Sequence, residues 1–198
     1  MIFNKLIDEL SENSGYSKEA CLYLIKQYTH LFISLILIMI VAYILNVKTY
    51  VGIIISTIMI LRAFSGGGHS KSKIICTIIS SVYPIGSALI INRLVISNTV
   101  VLIVSLIVFI VGICIIYKYA PADTLQKPIV SLKFKKQLKR NSLMFITIAE
   151  IIILYTTYIN YLQISLSIIM GLSWQLFTVL PIGYKFFNLI GSKQEVIK

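Results

Sequence analysis

Six apolar runs, at about 30–46, 49–64, 74–91, 99–118, 143–161 and 164–184, constrain this chain more than any other feature. A helix needs roughly 20 predominantly apolar residues to cross the hydrocarbon core, and about 17 is the lower limit. Five of the runs meet that need, and the second is close to the limit. Hydrophobic residues make up 58% of the 198-residue chain, where soluble domains sit near 45–50%. The pattern predicts an all-α, polytopic membrane protein with six transmembrane helices. No internal repeat is visible.

The first 29 residues are too polar for the bilayer core. Phe3, Leu6, Ile7 and Leu10 recur at helical spacing, with Lys5, Asp8, Glu9 and Glu12 on the other face. That is the pattern of an amphipathic helix lying in the interface. It lacks the apolar core of a cleavable signal. Ser14-Gly15 ends it, and Ser17 can cap a second helix running into the first span. The expected organisation is one membrane domain over 1–198. It comprises an interfacial region at 1–29, six helices over 30–184 and a tail at 185–198.

Charge sets the orientation. All of the 18 basic residues except Lys48 and Arg93 fall in the N-terminal region, the 62–73 segment, the 118–140 loop and the tail. Six spans put these four regions on one side, and the positive-inside rule makes that side cytoplasmic. Both termini then face the cytoplasm of a multi-pass protein of the cell membrane. The net charge of +11 fits cytoplasmic loops beside anionic lipid rather than nucleic acid. Three cysteines form no even disulfide framework, and all are read as reduced.

The chemistry concentrates in Arg62-Ala63-Phe64-Ser65-Gly66-Gly67-Gly68-His69 and Cys76. A thiol becomes a nucleophile when a base takes its proton, and histidine is the usual base. On a helix starting near His69, the side chains of His69, Ser72, Lys73, Cys76 and Ser80 share one stripe. Lys71 and Lys73 would favour a thiolate, while Cys76 would lie two turns in, too deep for the helix N-terminus to matter. The glycines allow a tight turn and a close approach to substrate. The alternative is that Cys76 is a small buried hydrophobe and His69 an interfacial polar group. A metal site wants three or four ligands, and no such set is apparent; neither a metal nor a cofactor is expected.

Three further features carry two readings each. Glu150 is the only acid inside a predicted span, serving either the reaction centre or a hydrogen bond to a neighbouring helix. Asp123, in a lysine-rich loop that also holds Pro121 and Pro128, could orient His69 as an acid orients imidazole in a triad. It could equally cap a turn. Lys133, Lys135, Lys136, Lys139 and Arg140 serve topology and lipid, or attract an acidic peptide.

Arg62, Gly66, Gly67, His69 and Cys76, followed two spans later by Tyr119-Ala120-Pro121-Ala122-Asp123-Thr124 and Lys127-Pro128, resemble the accessory gene regulator B family, membrane peptidases of Gram-positive bacteria. The motifs cover about 62–128, and the layout is compatible throughout. Ser70 stands where the family commonly has alanine, a small-for-small change. The resemblance implies a cysteine endopeptidase of quorum sensing, with His69 and Cys76 as the catalytic pair. Arg62, Gly66, Gly67, Lys71, Lys73, Ser80, Lys133, Lys135, Lys136 and Lys139 become supporting or substrate-binding residues. It further implies a precursor peptide with an amphipathic leader and an acidic tail. That peptide is cut near its C-terminus and closed to a thiolactone or lactone through a thioester on Cys76. A homodimer is expected by the same analogy. The other classes considered are a small transporter or permease and a non-enzymatic membrane scaffold with a basic cytoplasmic face.

Overall fold

The computed structural model describes residues 18–68, 72–122 and 131–190. Seven helices account for nearly all of them: α1 (Lys18–Ile44), α2 (Lys48–Ser65), α3 (Lys73–Arg93), α4 (Asn98–Tyr119), α5 (Leu132–Tyr158), α6 (Leu162–Val179) and α7 (Pro181–Ile190). The interfacial helix expected over residues 3–12, the Ser17 cap and the tail from 191 lie outside the described residues.

The chain divides into two compact units, one ending at Val41 and the other running from Ala42 to the C-terminus. Helix α1 begins in the first and runs unbroken through the boundary expected at residue 29 as far as Ile44, with Tyr28–Ile44 as its apolar stretch. In the second, Asn46 takes a left-handed conformation (φ 57°). The N–H groups of Asn46 and Val47 donate to the carbonyls of Tyr43 and Ala42 at 3.1 and 2.9 Å. This satisfies the carbonyls that a helix end leaves open, and α2 starts at once.

Five helices, α2 to α6, are long and apolar enough to cross a membrane by length and composition; the stretch in α1 is shorter. Helix α6 has no exposed residue, whereas apolar side chains are exposed on α2 to α5, among them Ile103, Leu106, Ile107 and Ile110 of α4. That is the surface a helix presents to lipid.

The core of the second unit is α6. Its Leu166, Ile168, Ile169, Leu172, Leu176 and Val179 are buried against α2, α4 and α5. Small residues allow this closeness, as is usual between helices in membranes. A Cβ on Gly171 would stand 2.9 Å from the Ile54 carbonyl of α2, and one on Gly112 of α4 would stand 3.0 Å from Leu176. Against α3, Tyr83 stacks on Trp174 with centroids 4.1 Å apart and donates its hydroxyl to the Met170 carbonyl at 2.9 Å. Polar groups inside the bundle satisfy one another. Ser165 Oγ lies 2.7 and 2.9 Å from the hydroxyls of Thr156 and Thr157.

Two expected boundaries move. The last apolar run, read as continuous over 164–184, breaks at Leu180, whose backbone is extended (φ −71°, ψ 151°). Pro181 has no N–H to extend α6 and disfavours helical geometry in the residue before it. The basic stretch read as loop through residue 140 is instead the start of α5. Ser131 caps that helix by accepting from the Phe134 N–H at 3.4 Å, and Lys133 to Arg140 fill its first turns.

Candidate active site

The C-terminal ends of α2, α4 and α6 meet the start of α3 around the Ser65–Gly68 turn. The N–H of Gly66 donates to the Arg62 carbonyl at 3.0 Å and closes α2. Gly66 and Gly67 then take φ of 67° and 138°, which side chains disfavour. Neighbours press on all three glycines. A Cβ would stand 2.6 Å from the Ala122 carbonyl at Gly66, 2.6 Å from Thr178 Oγ1 at Gly67 and 3.2 Å from the Tyr184 ring at Gly68. The glycines therefore admit the protein's own backbone and side chains, where substrate approach was expected.

Four sets of hydrogen bonds hold this turn. From the second sequence motif, Ala122 donates its N–H to the Ser65 carbonyl at 2.8 Å, and Gly66 and Ala122 form a parallel bridge. From α6, the Thr178 carbonyl accepts the Gly68 N–H at 2.8 Å. Gln175 Nε2 donates to Ser65 Oγ at 3.0 Å and to the Gly66 carbonyl at 2.7 Å. From α2 itself, Arg62 Nη2 donates to the Gly68 carbonyl at 3.0 Å.

Cys76 lies across this junction. Ser72 is the N-cap of α3 and accepts from the Ile75 N–H at 3.5 Å, so the helix starts at Lys73 and not near His69. Cys76 therefore sits in the first turn, its N–H bonded to the Ser72 carbonyl at 3.0 Å. This corrects both the shared helical stripe with His69 and the burial of Cys76 two turns deep. The first turn carries the positive end of the helix dipole. Cys76 and Arg62 are both half-buried residues. Ser80 is exposed one turn further on. The three cysteines form no disulfide; Cys21 is buried and Cys114 exposed.

His69, Lys71, Asp123, Lys127 and Pro128 lie outside the described residues, as does the side chain of Lys73. Lys133 and Lys136 are exposed on α5. Lys139 is not available in the same way, because its Nζ donates to the Tyr117 carbonyl and lies 4.2 Å from that ring's centroid. It pins the end of α4. Glu150 is buried and accepts from Ser105 Oγ of α4 at 3.0 Å, the interhelical bond that was one of its two readings.

Gln175, Thr178 and Tyr184 belong to neither sequence motif. A lone amide near the end of an apolar run was the available signal for Gln175. Nothing local marks Thr178, which contributes its backbone, or Tyr184, which contributes its ring.

Helices with lipid-like outer surfaces, joined at one end by a buried polar turn beside a free thiol, define a multi-pass membrane protein with a candidate cysteine centre. The chain belongs to the accessory gene regulator B family, whose model matches residues 1–179. It is 32% identical over 170 residues to a putative AgrB-like protein of Clostridium perfringens, covering 81% of this chain and 79% of that one. With accessory gene regulator protein B of Staphylococcus aureus it shares 31% identity over 152 residues, 76% of this chain and 75% of that one. No solved structure gives a significant match.

Proposed function

We propose that this chain is a membrane-embedded cysteine endopeptidase of a quorum-sensing system, acting on a small pheromone precursor. The observation that carries the reading is the double engagement of Arg62. Its guanidinium donates to the carbonyl of Gly68, the residue before His69, and its own backbone carbonyl accepts the Gly66 N–H that closes α2.

In the proposed reaction, His69 takes the thiol proton and Sγ attacks the scissile carbonyl. Collapse of the tetrahedral adduct breaks the C–N bond, and His69 protonates the departing amine. The acidic C-terminal fragment leaves, and the remaining peptide stays on Cys76 as a thioester. An internal Cys thiol or Ser hydroxyl of that peptide attacks the thioester carbonyl. The bond to Sγ breaks, freeing Cys76 and closing a thiolactone or lactone. Burial of the turn supports exclusion of water, which would otherwise hydrolyse the thioester. The partners proposed are the precursor peptide, membrane lipid and a second copy of the chain. Termini and site are assigned to the cytoplasm.

The test is mass spectrometry of a short candidate precursor peptide, with an amphipathic leader and an acidic tail, after reaction with purified variants. Cys76→Ala and His69→Ala should each abolish cleavage while still inserting into membranes, a loss of several orders of magnitude. Cys21→Ala and Cys114→Ala should keep most activity. Normal cleavage by Cys76→Ala would end this mechanism.

A further inference from the structure

Gln175 stands in the last turn of α6 with no exposed surface. The Gly66 carbonyl can only accept, so the amide face turned toward it is the NH2. Its two bonds there, to Gly66 and Ser65 Oγ, use both hydrogens of Nε2. Ser65 Oγ also lies 3.2 Å from the same Gly66 carbonyl, so two donors converge on one oxygen. The other end of the amide, Oε1, is buried and has no hydrogen-bond partner among the described residues.

A buried acceptor without a partner is costly, and more so among apolar helices. Leucine or methionine would fill the same space without that cost. Space filling therefore does not account for an amide here, whereas the two bonds of Nε2 do. They fix the turn at Ser65 and Gly66, the same Gly66 that bridges to Ala122. A Cβ on Gly67 would come within 3.3 Å of Nε2, so the turn lies directly on the amide. Gly68, held in turn by Thr178 and Arg62, precedes His69 in the chain.

We propose that Gln175 is a positioning residue for the reaction. Its Nε2 fixes the Ser65–Gly68 turn, and through the turn it sets the imidazole of His69 against the Cys76 thiol. The inference rests on the reading of His69 and Cys76 as base and nucleophile. A small misplacement of a base is enough to matter, since about 1 Å can cost on the order of a hundredfold.

The test uses the full chain in detergent micelles with Cys21→Ser and Cys114→Ser, so that Cys76 alone reacts with iodoacetamide. Alkylation at neutral pH reports base assistance without any substrate. His69→Ala in this background sets the unassisted rate. Gln175→Leu should slow alkylation at least about tenfold, toward the His69→Ala rate. Its thermal transition should stay near the parent's, and its rate in denaturant should equal the parent's. A folded Gln175→Leu that reacts at the parent rate overturns the assignment. If that variant does not fold, Gln175→Asn decides, because it keeps the amide but falls a methylene short of Gly66. It should be slowed in the same sense, and the parent rate would again overturn the proposal. A His69→Ala protein as fast as the parent would be a separate failure, of the base–nucleophile reading itself, and would remove Gln175's role with it.

Discussion

The N–H of Ala122 donates to the carbonyl of Ser65 at 2.8 Å, joining the ends of α4 and α2. Through this bond the two sequence motifs, separated by two helices, become one backbone structure. A single bridge is weak alone. Here Gln175, Thr178 and Arg62 hold the same turn from other directions, so its geometry is over-determined. That is the condition under which strained glycine conformations persist.

Adding one methyl group at each glycine should separate strain from simple crowding. In Gly66→Ala, a residue at φ 67° would also push Cβ against a backbone oxygen 2.6 Å away. We expect a loss of about 2 kcal/mol or more, from the conformation and the clash together. Gly68→Ala meets the Tyr184 ring at 3.2 Å and its Cα at an ordinary 3.4 Å, with no positive φ, and should lose about 1 kcal/mol or less. Thermal unfolding in detergent would show this order; equal Tm values for the two variants would contradict it.

Lysines of the α5 start should divide by function. Lys133 and Lys136 are exposed, so changing both to Gln should raise KM for an acidic-tailed precursor and flatten its salt dependence. Lys139 is tied to Tyr117. Lys139→Gln should instead lower stability by about 0.5–1 kcal/mol, with KM unchanged. Steady-state kinetics at two ionic strengths, alongside unfolding, would reveal any exchange of these effects.

Ser105 and Glu150 should matter for stability and not for turnover. Ser105→Ala removes the hydrogen bond given to a buried carboxyl, at a cost of about 1–3 kcal/mol. Glu150→Gln retains an acceptor oxygen and should stay closer to the parent. Cleavage per folded molecule should be unchanged in both, and a selective fall in kcat would return Glu150 to the reaction.

Asp123 is proposed to orient His69. Asp123→Asn should then leave KM near the parent value and lower kcat strongly, because the imidazolium loses an anionic partner. Asparagine is itself a good turn former, so an unchanged kcat would mean that Asp123 serves only the turn.

Orientation can be read by labelling introduced cysteines with an impermeant reagent. Positions 48, 93 and 162 should label from outside the cell. Positions 71, 135 and 193 should label only after the membrane is opened. External labelling at 71 would reverse the proposed topology.

Much of this was legible in the sequence because composition and period act locally. Runs of Ile, Leu and Val set the helices α2 to α6, and the Arg62-to-Cys76 and Tyr119-to-Thr124 motifs marked the region of the site. Local signals also ended elements, though they were easy to overlook: Pro181 breaks the last apolar run, and Ser131 starts α5 within the basic stretch. What spacing could not reveal was the route of the chain between His69 and Cys76. A seven-residue interval reads as two helical turns only if the helix covers it, and Ser72 starts that helix late. Partners of the glycine turn were beyond local reach altogether. Gln175 and Thr178 are far away in the chain, and only the packing of α6 against α2 brings their amide and carbonyl onto Gly66 and Gly68. The sequence determined which residues could enter the membrane and which could carry the chemistry. The tertiary structure decided what holds the turn before His69, because hydrogen bonds between distant segments depend on helix packing and not on spacing along the chain.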